Sequence, residues 1–199
     1  FIRRCFEMIS RGGNSKQDAV VRLNKYLSKK KLPLNRHLMA VALVDKNGTV
    51  VSSNDERLIG KDFSSQDVFM QGIRKSYGET YVGQLHYFSG LDAQCIFVSA
   101  PIMVGVETLG VVINAYSLLT LNEITANRVG MGETGEIYLV GKDKLMLTQS
   151  RFFNDAVSRQ IVDTEPVRKF IEEGRETVGV YRDYRGKAVV GASIYLPKY

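Results

Sequence analysis

A chain of 199 residues, 44% of them hydrophobic, can bury one medium core or two small ones, so disorder is excluded as its default state. Its formal charge of +6 would suit a nucleic acid or a membrane surface if the cations were clustered, but only Lys29, Lys30 and Lys31 form a run. Arg151, Arg159, Arg168, Arg175, Arg182 and Arg185 alternate with acids, and no recognition helix, zinc finger or RNA-binding aromatic strand accompanies them, which excludes nucleic acid as a partner.

No stretch reaches the roughly 20 apolar residues that a membrane-spanning helix needs, and Phe1-Ile2-Arg3-Arg4 does not open a signal peptide. A start without methionine and an end within a strand-like run lead us to expect a piece of a longer chain. Cys5 and Cys95 have no second cysteine or histidine at ligand spacing, so they read as packed thiols, not as a zinc or redox motif. From 15 to 30, Ala19, Leu23, Tyr26 and Leu27 recur at helical spacing, and Ser15 with Asp18 three positions on resembles a capping arrangement. This predicts a long stalk helix; Phe6 and Ile9 would extend it backwards, against an interruption at Gly12 and Gly13.

Pro33 breaks the pattern. The apolar run 38–44, the turn Asp45-Lys46-Asn47-Gly48 and the β-branched run 49–53 then give the strongest hairpin signal in the chain. Ser64 or Ser65 is placed to cap a short helix that carries Val68, Phe69 and Ile73 on one side and ends near Gly78. Strands are predicted over 80–88, 94–102 and 108–116. In the middle one Ile96, Val98, Ala100 and Ile102 alternate with Cys95, Phe97 and Ser99, so its sheet has two different faces. The order strand, strand, helix, strand, strand, strand is that of an antiparallel sheet with a helix over one face, the pattern of PAS-like and profilin-like modules.

A helix over 118–128 and a glycine-rich joint at 130–135 follow, and the order repeats. Strands are predicted at 136–140 and 145–149 around a turn at 141–144, then a helix at 164–173 with Pro166 in its first turn and Gly174 beyond its end. A hairpin of 177–184 with 188–196 crosses Arg185-Gly186, and the last strand of this second copy is expected beyond Tyr199. The predicted fold class is α+β: an N-terminal stalk helix at 1–36, a PAS-like module at 37–117, a connecting helix and joint at 118–134, and a smaller, incomplete PAS-like module at 135–199.

Five motifs stand out: Val41-Ala42-Leu43-Val44-Asp45-Lys46-Asn47-Gly48, Leu58-Ile59-Gly60-Lys61-Asp62-Phe63, Val98-Ser99-Ala100-Pro101-Ile102, Leu109-Gly110-Val111-Val112, and Gly132-Glu133-Thr134-Gly135-Glu136-Ile137-Tyr138-Leu139-Val140 running on to Ser150-Arg151-Phe152. Together they resemble the double Cache family, the extracytoplasmic sensors of prokaryotic histidine kinases, chemoreceptors and diguanylate cyclases. Physically they are turn and packing devices, with Gly60 and Gly110 allowing backbone geometry or close packing that a side chain would obstruct. The resemblance implies that 37–117 is a membrane-distal module that binds a small molecule and 135–199 a membrane-proximal one. It also implies flanking transmembrane helices in the full-length protein, a periplasmic or extracellular location, a homodimer through the stalk helix, and a cytoplasmic output domain, a histidine kinase ahead of a chemoreceptor or a diguanylate cyclase. No cofactor is implied. The same order of elements also suits a cytosolic tandem PAS-type or longin-like interaction module without a small-molecule pocket.

A PAS-like pocket lies between the concave sheet face and its covering helix, so 64–75 and the three strands after it should line it. In double Cache domains that bind amino acids, an Arg on that segment clamps the carboxylate and an Asp on the last strand holds the amine. Gln66 and Ala115 stand near those places here, and a buried charge without a counter-charge is strongly unfavourable. The expected ligand is therefore neutral or weakly polar, not an ordinary free amino acid, and is met by Gln66, Phe69, Tyr81, His86, Tyr87, Asp92, Ser99 and Asn114; Phe69 and Tyr81 suit the core equally well. His37 and His86 are the only histidines, too few for a histidine-rich metal site, and no Ser/His/Asp partner set is evident. Gly130-Met131-Gly132 with Gly135 precedes a predicted strand, not a helix, so it makes no phosphate loop. No catalytic residue and no metal ligand is assigned.

Overall fold

A computed structural model describes residues 1–12 and 15–194; the cap expected of the Ser15 side chain, the break at Gly13 and the run to Leu196 lie outside the described residues. The chain divides into two compact units, Phe1–Leu118 and Leu119–Tyr199. The first contains α1 (Ile2–Arg11), α2 (Ser15–Tyr26), β1 (Leu38–Asp45), β2 (Val50–Ser53), α3 (Asp67–Gly72), β3 (Tyr81–Val82), β4 (His86–Phe88), β5 (Ala93–Val104) and β6 (Glu107–Ser117). Its strands form one antiparallel sheet in the order β2-β1-β6-β5-β3, with β4 also paired to β5. The strand expected over 80–88 is thus two short ones on the same edge of β5, interrupted at Gly83-Gln84-Leu85, where glycine is a poor strand former.

Alternation along the strands gives this sheet two apolar faces. One carries Ala40, Ala42, Val44, Cys95, Phe97, Val111, Ile113 and Ala115, closed over by Phe63, Val68 and Phe69. The other carries Val41, Leu43 and Ile102, closed over by Cys5, Phe6 and Ile9 of α1 and by Ala19, Leu23 and Leu27. Both cysteines are buried free thiols, as expected, and burial pushes the Cys95 thiol up to about 11.

The single helix expected over 15–30 is therefore part of a pair laid on the sheet. The chain breaks at Gly12, whose φ is 71°, and α2 runs on as a π-helical turn, Leu27–Lys31, and a 3-10 turn, Leu32–Leu34, around Pro33. Helical periodicity reports an apolar stripe but not what the stripe packs on. Here α2 is also pinned by polar contacts: Asn24 Oδ1 accepts from the Ser52 hydroxyl at 2.7 Å and from the Ser53 N–H at 3.1 Å. The close fit of α1 depends on Gly110, where a Cβ would lie 2.1 Å from the Val44 carbonyl oxygen and 2.8 Å from the Phe6 ring. Helix α3 starts after Gln66, not after Ser64 or Ser65, and ends at Gly72, well before Gly78; the Ser64 N–H instead donates to Asp62 Oδ1 at 2.7 Å, a local turn that keeps Ser64 out of the helix.

The second unit contains α4 (Leu119–Thr125), α5 (Glu165–Glu173), β7 (Thr177–Arg182) and β8 (Ala188–Ser193). Helix α5 follows its sequence signals, with Thr164 at the N-cap, Pro166 in the first turn and Gly174 left-handed at its end. Strands β7 and β8 pair antiparallel, and Asp183 Oδ1 closes their turn by accepting from the N–H groups of Arg185 and Lys187 at 2.8 and 3.0 Å. The strands expected at 136–140 and 145–149 are reduced to isolated bridges, Val140 with Met146 and Leu145 with Ile161. The Leu139 N–H goes to Thr148 Oγ1 at 3.0 Å, so a side-chain hydroxyl takes the place of a ladder carbonyl. Helix α4 ends at Thr125, short of the expected 128. Met146, Ala156 and Val162 form the small core, with Tyr138, Val140, Val167 and Tyr184 packed against it.

Candidate functional site

Apolar side chains pack between α3 and the sheet, where the pocket was expected. They include Phe63, Val68, Phe69, Phe97 and Ile113, and α3 lies close enough for the Ser99 hydroxyl to donate to the Val68 carbonyl at 2.7 Å. Gly72 permits that approach, since a Cβ there would lie 2.3 Å from Ser99 Oγ. Phe69 and Ser99, 6% and 1% exposed, are thus a core residue and a helix anchor. A helix with a glycine facing a serine can settle closely onto an apolar sheet.

Register separates the remaining candidates. Tyr81 pairs with Ser99, and His86 with Cys95, so both share the α3 face. The His86 ring lies 5.2 Å from that of Phe97, and its Nδ1 is 3.1 Å from the Gln84 carbonyl oxygen. Asn114 pairs with Val41 and Val98, which places it on the face covered by α1 and α2. Gln66 is exposed at the start of α3, and Ala115 is buried in the α3-face core.

At the turn between β4 and β5 the Tyr87 hydroxyl donates to the Asp92 carboxylate, which raises the Tyr87 pKa. Asp92 stands at φ 52°, a left-handed conformation that Asp tolerates better than most residues. Arg57, on the 3-10 turn Glu56–Leu58, lies within electrostatic reach of Asp92. Its Nη2 is 2.7 Å from Asp55 Oδ2, a bond that holds the Asp55 carboxyl below its ordinary range. Arg57 is far from Asp92 in sequence and belongs to no spacing that would have marked it; only the fold brings the two together. Tyr81 and His86 thus stand on the α3 face of the interrupted sheet edge, while Tyr87, bonded to Asp92, stands on the other face of the same edge.

In the second unit the Gly132-to-Phe152 motif acquires a physical meaning. Glu136 Oε1 accepts from the Arg151 N–H at 2.6 Å, and Glu136 Oε2 accepts from the Tyr184 hydroxyl at 2.6 Å. Tyr184 also meets Ser150 Oγ at 2.8 Å, while Arg151 Nη1 donates to the carbonyls of Gly132 and Gly135 at 3.0 and 2.9 Å. Burial first, and then the bond to Glu136, push the Tyr184 phenol up to about 12. These groups satisfy one another, so the motif fastens the glycine-rich segment to the module.

Among the described residues no group of three His, Cys, Asp or Glu side chains could hold a metal ion, and no helix is long and apolar enough to cross a membrane. No family model and no curated protein matches the chain. Solved structures do share its fold. The ligand-binding domain of the Pseudomonas fluorescens chemoreceptor CtaA, in complex with L-serine, matches with a TM-score of 0.54 at 19% identity over 79% of this chain and 64% of that one. The V. cholerae histidine kinase DctB sensor domain matches with a TM-score of 0.58 at 16% identity over 77% of this chain and 56% of that one. The extracellular domain of mmHK1S-Z2, described as a candidate histidine kinase, gives 0.63 at 13% identity over 95% and 79%. The chain therefore spans less than two thirds of the length of the first two. Its fold is that of double Cache ligand-binding domains from chemoreceptors and histidine kinases.

Proposed function

We propose that this chain, double Cache in fold, is the extracytoplasmic sensor region of a prokaryotic membrane receptor, most simply a histidine kinase, and that its first unit takes up a small molecule. The observation that carries the reading is the first unit's sheet, covered by helices on both faces yet interrupted along one edge, which carries Tyr81, His86 and the Tyr87–Asp92 pair, with Arg57 within electrostatic reach of Asp92. That edge is where a ligand enters, with Gln66 at the near end of α3; Phe69, Ser99 and Asn114 pack and position the elements around it.

The CtaA structure holds L-serine. Gln66 and Ala115 leave this chain without the two charges that clamp an amino acid in such domains, which supports a neutral or weakly polar ligand at the sheet edge. Binding favours the arrangement of α3 and β3–β4 that fits the ligand better, and it shifts the equilibrium only by its difference in affinity for the two arrangements. The shift passes along β6 into the 118–128 segment and, in the full-length protein, to a cytoplasmic output domain.

The test is a thermal-shift screen of metabolites against the whole chain, since a specific binder stabilises the fold by mass action. Titration of each hit against His86→Ala and Asp92→Asn follows. A hit whose affinity falls at least tenfold in either variant supports the reading. A screen in which every hit binds both variants as well as the parent would sink it.

A further inference from the structure

The β1–β2 turn carries a chemistry that its fold does not use. Asn47-Gly48-Thr49 is the only Asn-X-Ser/Thr triplet in the chain. With a middle residue other than proline such a triplet accepts an N-linked saccharide, the asparagine amide nitrogen taking the sugar and the hydroxyl two residues on completing the recognised unit. Three common residue types can fall together by chance, so the surroundings decide.

Those surroundings leave the asparagine available. In other turns of this chain an asparagine bonds the backbone two residues on, as Asn35 Oδ1 does with the His37 N–H and Asn127 Oδ1 with the Val129 N–H, at 3.0 and 3.1 Å. At Asn47 that place is taken. Asp45 Oδ1 accepts from both the Thr49 and the Asn47 N–H at 2.9 Å, and the Asp45 carbonyl accepts from the Gly48 N–H at 3.1 Å. The Asn47 carboxamide therefore has no hydrogen-bond partner among the described residues, and its two N–H donors are left to solvent.

The backbone beneath it is fixed. Gly48 is buried at φ 93°, so close to Ser64 that a Cβ would lie 2.5 Å from the Ser64 Cα, while Asn47 and Thr49 on either side are exposed. Both groups that recognition needs thus stand on the surface of a rigid turn. In the sheet order this turn belongs to the β2 edge, and β3 and β4 lie at the opposite one, four strand spacings or about 19 Å away. A saccharide on Asn47 leaves the β3–β4 edge clear.

We propose that Asn47 is an N-glycosylation site, modified by a lipid-phosphate-linked saccharide on the outer side of the membrane. Asn47 Nδ2 bonds to the anomeric carbon of the sugar, the bond from that carbon to the phosphate oxygen breaks, and the lipid phosphate leaves while the amide gives up one proton. The proposal rests on the extracytoplasmic reading above, because the donor is presented on that side.

The test is peptide mass spectrometry of the full-length protein purified from its own host, together with labelling of spheroplasts by a membrane-impermeant amine reagent read at Lys30, which is exposed. The peptide containing Asn47 is expected to carry a saccharide mass that disappears in Asn47→Gln and in Thr49→Ala and persists in Thr49→Ser. Both residues are exposed and the turn is closed by the Asp45 side chain and the backbone, so circular dichroism of the variants should be unaltered. An unmodified Asn47 in protein labelled at Lys30 overturns the proposal while the extracytoplasmic reading stands. An unmodified Asn47 with Lys30 unlabelled overturns both. A saccharide that persists in Asn47→Gln places the modification elsewhere and also overturns the proposal.

Discussion

Asn24 shows how much a single side chain decides here. Its Oδ1 is the acceptor for the Ser52 hydroxyl and the Ser53 N–H, and both serines are buried. Asn24→Ala leaves the two donors without that partner in a site closed to water, so we expect a loss of about 2 kcal/mol in urea unfolding; a change within experimental error would mean that water reaches them. Nothing in the sequence marked Asn24, because its partners sit on a strand beyond two turns of chain. Gly110 was legible as a packing glycine, yet only the structure shows that Phe6 is what its missing side chain admits. Of the expected site residues, Tyr81 and His86 share the α3 face, while the register of β6 against β1 and β5, which no local pattern records, puts Asn114 on the other.

At the scale of elements, the β7–β8 hairpin depends on its turn. Asp183 accepts from two backbone N–H groups and pairs with Arg185, whose Nη2 is 2.6 Å from Asp183 Oδ2. Burial pushes the Asp183 carboxyl up, but the bonds from Arg185 and from the Lys187 and Arg185 N–H groups outweigh it and hold the pKa below its ordinary value. A carboxyl depressed by folding stabilises the native state fully above its unfolded pKa of about 4 and loses that contribution as the pH falls through the lower folded value. Asp183→Asn should therefore lower Tm at neutral pH and flatten the acid limb of the Tm curve below about pH 4; an acid limb as steep as the parent's would show that Asp183 is not coupled to folding. Elsewhere, helix α5 and the β1–β2 hairpin were read directly, because caps and turn residues act within a few positions. The failed strands at 136–149 and the late start of α3 arose where a side-chain hydroxyl and a carboxylate took over backbone partners.

For the molecule as a whole, the two units have separate cores, and the N-terminal helices belong to the first. Phe6 is fully buried under that unit's sheet. Phe6→Ala is expected to destabilise it by about 4 kcal/mol and to raise amide exchange along β1, β5 and β6 while leaving β7 and β8 protected; equal loss in both hairpins would refute separate cores. The sequence by itself determined the α+β class, the principal turns and the double Cache resemblance, because apolar periodicity and turn chemistry are local. Tertiary structure alone decided that the helical stripe folds back as a pair onto the sheet, that Phe63, Val68 and Phe69 pack against the sheet beside α3, and that Arg57 comes within electrostatic reach of Asp92. Each of these depends on which surfaces come to face one another, and that is set by packing between residues remote in the chain.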